Sequence, residues 1–216
     1  MSALRAVFGV ALADFRERSR SSQLLVVPVL IAYFAKVVTV DSTLVVADRY
    51  TGVPTAAWYG GMVMGIGTTV LLLAGFPLVK RSLARDRQTN VAPLVGTSPI
   101  PDWQYLVGKW ISNVAVLSVA TAVLGVATTV AFLVEGTGTL NPLPLWLPFV
   151  LVTLPAMGFV AAATLCFETI GFLRGTAGTV LYFLVVLAAI SASLVASVPI
   201  DLTGIAMLRD SMGTAI

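Results

Sequence analysis

Long apolar runs alternate with polar segments along this chain, and five of the runs could cross a lipid bilayer as helices. A spanning helix needs about 20 apolar residues. We place the predicted spans at residues 23–40, 56–79, 105–134, 145–167 and 176–198. The runs are too long for barrel strands and do not alternate, so helices are the expected spanning form. The pattern predicts an all-α integral membrane protein with one transmembrane domain over residues 1–216.

Two of these spans have distinctive features. The third would be about 43 Å long at 1.5 Å per residue, so it must tilt or project beyond the bilayer. The fourth contains Pro148 and Pro155, each of which predicts a kink because proline removes a backbone donor.

The segment before the first span shows helical periodicity. One apolar face is predicted from the spacing of Leu4, Phe8, Ala11 and Phe15. The other faces carry charge, at Arg5, Asp14, Arg16 and Arg18. This pattern is typical of an amphipathic helix lying in the membrane interface, which we predict over residues 3–18. The alternative is an ordinary basic flank of the first span with accidental periodicity.

The composition is typical of a membrane protein and offers few residues that could perform catalysis. Hydrophobic residues make up 58% of the chain and charged residues 11%, whereas soluble domains contain about 25% charged residues. Histidine is absent, which removes imidazole bases and ligands, and Cys166 is the only cysteine. We therefore predict a protein that is not an enzyme, with no catalytic, cofactor-binding or metal-binding residues.

The basic residues are distributed asymmetrically. Nine of the thirteen lysines and arginines lie in the N-terminal segment, between spans two and three, or between spans four and five, and Lys109 lies at the start of span three on the same side. Basic residues favour the cytoplasmic side. We therefore predict a plasma-membrane protein with a cytoplasmic N-terminus and, with five spans, an extracellular C-terminal segment at 199–216.

The loop between spans two and three, residues 80–104, is the largest polar segment. Good helix formers extend to Asn90, a Pro- and Gly-rich turn follows, and Asp102 can cap the next helix. A loop that only sets topology would explain its basic residues. It would not explain why so many residues join two spans that a short turn could connect.

Two segments of this chain resemble the permease subunits of type-2 ABC transporters. They are the N-terminal ADFRERSRSS and the loop LARDRQTNVAPLVGTSPIPDWQYLVGKW. Such permeases have a connecting helix before span one and a cytoplasmic coupling helix between spans two and three. Their loop commonly carries a small-Pro pair, here Ser98-Pro99, and an aromatic-Leu-x-Gly-Lys segment, here Tyr105 to Lys109. The family has six spans, so this chain would correspond to a permease without the sixth.

The resemblance implies a permease, which we expect to be an exporter, driven by a separate ABC ATPase subunit that binds the ATP. It also implies a second permease protomer in the bilayer, as a homo- or heterodimer, and no nucleic acid partner. The resemblance makes the cytoplasmic segment 80–104 the coupling loop that meets the ATPase. Its residues expected to contact the ATPase are Arg85, Asp86, Arg87, Val91 and Leu94. The residues expected to hold the interfacial helix are Phe8, Phe15, Arg16 and Arg18.

Two other functions compete with this one. A secondary transporter would favour an internal repeat and ionisable residues at mid-membrane, and the sequence shows no repeat and no acidic residue near the centre of a span. A non-transporting membrane scaffold is the remaining alternative. The sequence contains no phosphate-binding loop, so an ATP-driven activity would need another subunit.

Overall fold

The structure, a computed structural model, describes residues 3–19, 30, 33, 45–46, 50–51, 53–80 and 101–195. The regular elements, in chain order, are α1 (Ala3–Ser19), β1 (Val45–Val46), β2 (Tyr50–Thr51), α2 (Ala56–Val79), α3 (Asp102–Glu135), α4 (Pro142–Pro148), a π-helical turn (Phe149–Thr153), α5 (Leu154–Thr169), a 3-10 turn (Gly171–Leu173) and α6 (Thr176–Val195). The predicted helical fold is therefore confirmed for the described residues, apart from the two short strands.

Those strands form one antiparallel pair that the sequence analysis did not predict. Val45 lies opposite Thr51, and Val46 lies opposite Tyr50. β-Branched and aromatic residues favour extended backbone, which is consistent with a short strand pair here.

Among the described residues, three helices are long and apolar enough to cross a membrane, which is consistent with a membrane protein. They are α2, α3 and the continuous helix Pro142–Thr169, and they coincide with the second, third and fourth predicted spans. The other two spans stay predictions. The first, at 23–40, lies outside the described residues except for Leu30 and Tyr33. The fifth coincides with α6, whose fully described part, Thr176–Ala192, is a shorter apolar helix.

Helix α2 has a side-chain cap at its start, whereas α3 has none. Asp102 was expected to cap α3, but it is the first residue of the helix, and Pro101 stands at the N-cap position. The side chain of Thr55 accepts a hydrogen bond from the backbone N–H of Trp58 at 3.3 Å and so starts α2. Helix α3 has 34 residues, or about 51 Å, which exceeds a hydrocarbon core of about 30 Å. It begins with Asp102 in its first turn, where a carboxylate favours the helix dipole.

The fourth predicted span is one helix with a π-helical turn where kinks were expected. The turn, Phe149–Thr153, lies between Pro148 and Pro155. The backbone N–H of Leu154 donates to the carbonyl of Phe149, five residues back, instead of four. Because neither proline has an N–H to donate, a regular α-helix would lose a bond at each of them. The irregularity therefore follows from the prolines.

Glycines of α2 allow neighbouring helices to approach it closely. A Cβ at Gly60 would lie 2.5 Å from the carbonyl oxygen of Pro144, and a Cβ at Gly67 would lie 2.3 Å from Leu124. Near the other end of α2, Gly75 lies against Leu117 of α3. Small residues at such spacing let membrane helices pack closely. The main core, built on α2, lies between α3, α5 and α6.

Candidate functional site

The predicted site residues separate into two groups. The five expected ATPase contacts, Arg85, Asp86, Arg87, Val91 and Leu94, all lie outside the described residues, so their role stays a prediction. The four residues expected to hold the interfacial helix lie on α1.

On α1 these four side chains face different environments. Phe8 is 63% exposed, whereas Arg18 is only 8% exposed. Phe15 is partly buried against the main core, and Arg16 is exposed. The residues expected to act together at a membrane surface are thus divided between the exposed side of α1 and the protein interior.

The buried side of α1 packs along the first turns of α3. Val7 and Ala11 are each 6% exposed. Opposite them, Gly108 of α3 makes this approach possible, because a Cβ there would lie 2.8 Å from the Cβ of Val10 and 3.0 Å from the carbonyl oxygen of Val7. The glycine therefore sets how closely the two helices approach.

A cluster of buried polar groups lies beside this contact. It joins α1 to α3 through five side chains, which we call the Asp14 cluster: Asp14, Arg18, Lys109, Ser112 and Asn113. Their exposed fractions range from 0% at Asn113 to 8% at Arg18. Charged groups are almost never this buried unless they are paired.

Asp14 is the centre of the cluster. Its Oδ1 accepts from Lys109 Nζ at 2.5 Å, and its Oδ2 accepts from Ser112 Oγ at 2.6 Å. One turn along α1, Arg18 Nη2 lies 2.9 Å from the same Oδ2, and Arg18 Nη1 donates to Asn113 Oδ1 at 2.8 Å. The single carboxylate thus receives a hydrogen bond or ion pair at both oxygens from two different helices.

This arrangement favours one register between α1 and α3. Bringing charges out of water costs several kcal/mol per ion, so the cluster stabilises the contact only while every partner is in place. A slide of one helix along the other would separate Asp14 from Lys109 while leaving both buried. The cluster is therefore suited to holding the two helices as one rigid unit.

The cluster was not predicted from the sequence, although both segments that form it carry the family resemblance. Asp14 lies in ADFRERS and Lys109 closes YLVGK, the two segments that carried the family resemblance. Two signals could have located it. Asp14 and Arg18 are spaced as an i,i+4 ion pair. Ser112 and Asn113 are polar residues inside an apolar helix, close to Lys109.

A second polar contact holds the end of α2, next to the first residue of the segment 80–104. Lys80 Nζ donates to the carbonyl of Gly175 at 2.9 Å and to the hydroxyl of Thr179. The same ammonium lies 5.7 Å from the ring centroid of Phe76. The basic residue that ends α2 is thus fixed to the start of α6.

The turn before α6 is closed by Arg174, which the sequence analysis had not assigned a capping role. Its Nε donates to the carbonyl of Glu168 at 2.8 Å, and its Nη2 donates to that of Thr169 at 3.1 Å. Carbonyls at a helix C-terminus lack partners within the helix and favour a positive charge. Arg174 therefore stabilises the end of α5.

The described residues contain no group of three His, Cys, Asp or Glu side chains that could hold a metal ion. What they contain is a set of polar contacts that join helices at one end of the bundle. No protein-family model, curated protein or solved structure matches this chain. The described part of the chain thus defines a helical protein in which three helices are long and apolar enough to cross a membrane.

Proposed function

We propose that this chain is the transmembrane permease subunit of an ATP-driven ABC transporter, acting as an exporter in the plasma membrane. It would work with a separate ATPase subunit and a second permease protomer. The observation that supports this most directly is the Asp14 cluster, because it links the N-terminal helix to the helix that follows the coupling loop.

The coupling loop lies between two fixed points. Lys80, at its start, is bonded to the beginning of α6, and Lys109, a few residues beyond its end, is bonded to α1. A force on the loop would thus reach four helices, α2, α6, α3 and α1, through short polar contacts. This is the connectivity that a mechanically driven permease needs.

In the proposed cycle, ATP closes the two ATPase subunits, which push on the coupling loops. The displacement passes through α3 and α1 as one unit and reorients the spans. No residue of this chain performs chemistry. The ATP stays on the partner subunit.

Helix α1 would lie in the cytoplasmic membrane interface. Its outward face carries large apolar side chains, with Leu4 71%, Phe8 63% and Leu12 49% exposed. Exposed apolar residues of this size favour a lipid surface over water. In this arrangement the Asp14 side of α1 faces α3 while the opposite side faces lipid. The five-span topology and cytoplasmic N-terminus belong to the same proposal.

The test is co-purification of this chain from its native membrane with an ABC ATPase subunit, followed by ATP hydrolysis in proteoliposomes. Replacing both Asp86 and Arg87 with alanine should release the ATPase or uncouple its activity from transport. Losing one partner of a desolvated interfacial charge pair costs about 2–5 kcal/mol. Arg5→Ala is the matched control, because Arg5 is exposed on α1 and outside the proposed contact.

The outcome separates the competing functions. The permease function is supported if the ATPase binds the unmodified protein and Arg5→Ala but does not bind the double variant. Transport driven by an ion gradient without any ATPase would indicate a secondary transporter. A correctly inserted protein that binds no ATPase and moves no solute would indicate a scaffold.

A further inference from the structure

The backbone of the fourth span is weakened on both sides of its π-helical turn. Pro148 has no N–H to donate to the carbonyl of Pro144, its α-helical partner, and Pro155 has none for Leu151. Between them the bonding changes to the five-residue spacing seen from Leu154 to Phe149. Single π-helical turns and prolines are the usual places where long helices bend.

The two halves of this helix pack near opposite ends of α2. In α4, the Pro144 carbonyl lies against Gly60 of α2, and the Trp146 ring lies against Gly125 of α3. In α5, Met157 and Val160 are fully buried in the main core. Each half thus has its own packing partners, so a change of angle at the turn could move α4 while α5 keeps its place.

One hydrogen bond connects the turn itself to α2. The hydroxyls of Thr68 and Thr153 lie 2.8 Å apart, and both side chains are fully buried. Other buried threonines of the described helices bond within their own helix, each to the carbonyl four residues earlier: Thr121, Thr128 and Thr164. Thr153 differs from these because its hydroxyl bonds to a neighbouring helix.

We propose that Phe149–Thr153 is a hinge between α4 and α5, and that the Thr68–Thr153 hydrogen bond holds it at its present angle. Breaking this bond frees α4 to swing against α2 and α3. The inference rests on the backbone and this contact, and it holds whether or not the chain is a permease. In a transporter, such a hinge would let one end of the bundle open while the main core stays packed.

The test uses the full chain in lipid nanodiscs, with spin labels and double electron–electron resonance. In a Cys166→Ser background, cysteines replace Leu143 on α4 and Val130 on α3, which are 66% and 55% exposed. A second pair, on Phe159 of α5 and Val126 of α3, reports the part that should stay fixed. Both sites of this pair are also exposed, at 45% and 54%.

Thr153→Val removes the hydroxyl and nearly keeps the shape. We expect the distribution of distances between the labels at positions 143 and 130 to broaden or shift. A second position of α4 should become about threefold to tenfold more populated, which is the effect expected from losing one interhelical hydrogen bond in a membrane. Thr68→Val removes the same bond from α2 and should have the same effect. Thr153→Ser keeps the hydroxyl and should resemble the unmodified protein.

Thr164→Val is the matched control, since it deletes a buried hydroxyl that bonds only within α5. Its distances should match those of the unmodified protein for both label pairs. Unchanged Leu143–Val130 distances in both Thr153→Val and Thr68→Val would overturn the proposal. Equal broadening of the Phe159–Val126 pair would also overturn it, because the whole bundle would then have loosened without a hinge.

Discussion

Replacing Asp14 with asparagine removes the carboxylate that contacts both Lys109 and Arg18. Asparagine is nearly the same size, so the change tests charge more than packing. The two cations are only 3% and 8% exposed, and they would lose their shared counter-charge without gaining water. Breaking a buried ion pair from one side costs about 3–5 kcal/mol. We expect the substitution to weaken the packing of α1 against α3 by this free energy.

Lys109→Met is the comparison variant, because it removes only one of the two cations that contact Asp14. In that variant Asp14 still contacts Arg18 at 2.9 Å and Ser112 at 2.6 Å. Methionine also replaces much of the apolar stem of lysine. The expected cost is that of one charged hydrogen bond, about 1.5–3 kcal/mol. Asp14→Asn should therefore be the more damaging of the two.

The assay is hydrogen–deuterium exchange of the α1 amides in lipid nanodiscs, read by mass spectrometry. A loss of about 3–5 kcal/mol in docking corresponds to exchange faster by roughly two to three and a half orders of magnitude. The exposed Arg5→Ala serves as the control and should leave exchange unchanged. If Asp14→Asn exchanges no faster than Arg5→Ala, the buried ion pair does not hold α1, and the argument for a rigid unit fails.

Two further changes test other contacts, and a third tests the predicted orientation in the membrane. Gly108→Val should weaken α1 docking by about 1–3 kcal/mol, because its Cβ would lie 2.8 Å from a side chain of α1, and the same exchange assay measures it. Tyr182→Phe keeps the ring but loses the 2.8 Å hydrogen bond to the Leu72 carbonyl, so thermal unfolding should occur a few degrees lower, for a loss of about 1 kcal/mol. Cysteines placed at Arg87 and Asn141 should react differently with an impermeant thiol reagent on intact cells, with only position 141 labelled.

Each of these has a contradicting result. Gly9 has nothing within 4 Å of a built Cβ, so Gly9→Val is the control for Gly108→Val, and equal effects would exclude close approach as the cause. An unchanged unfolding temperature in Tyr182→Phe would mean that the hydroxyl makes no net contribution to the free energy of unfolding. Labelling of position 87 from outside the cell would reverse the predicted orientation.

The sequence alone determined the helical class and the position of three apolar helices. The predicted span at 56–79 has the same ends as α2, and those at 105–134 and 145–167 lie within α3 and the helix Pro142–Thr169. These features follow from local properties, namely the length of an apolar run and the polarity of its flanks. The prolines of the fourth span also predicted an irregularity, because the loss of a backbone donor is a property of the residue itself.

Only the tertiary structure decided which polar residues meet. Asp14 and Lys109 are 95 positions apart, so no local pattern joins them. Arg18 had been assigned to the interfacial helix by its charge, but α3 buries it against Asn113. Thr153 resembles every other threonine of the spans until its partner on α2 is known. Helical periodicity tells which residues share a face, but the neighbour of that face depends on how distant helices pack.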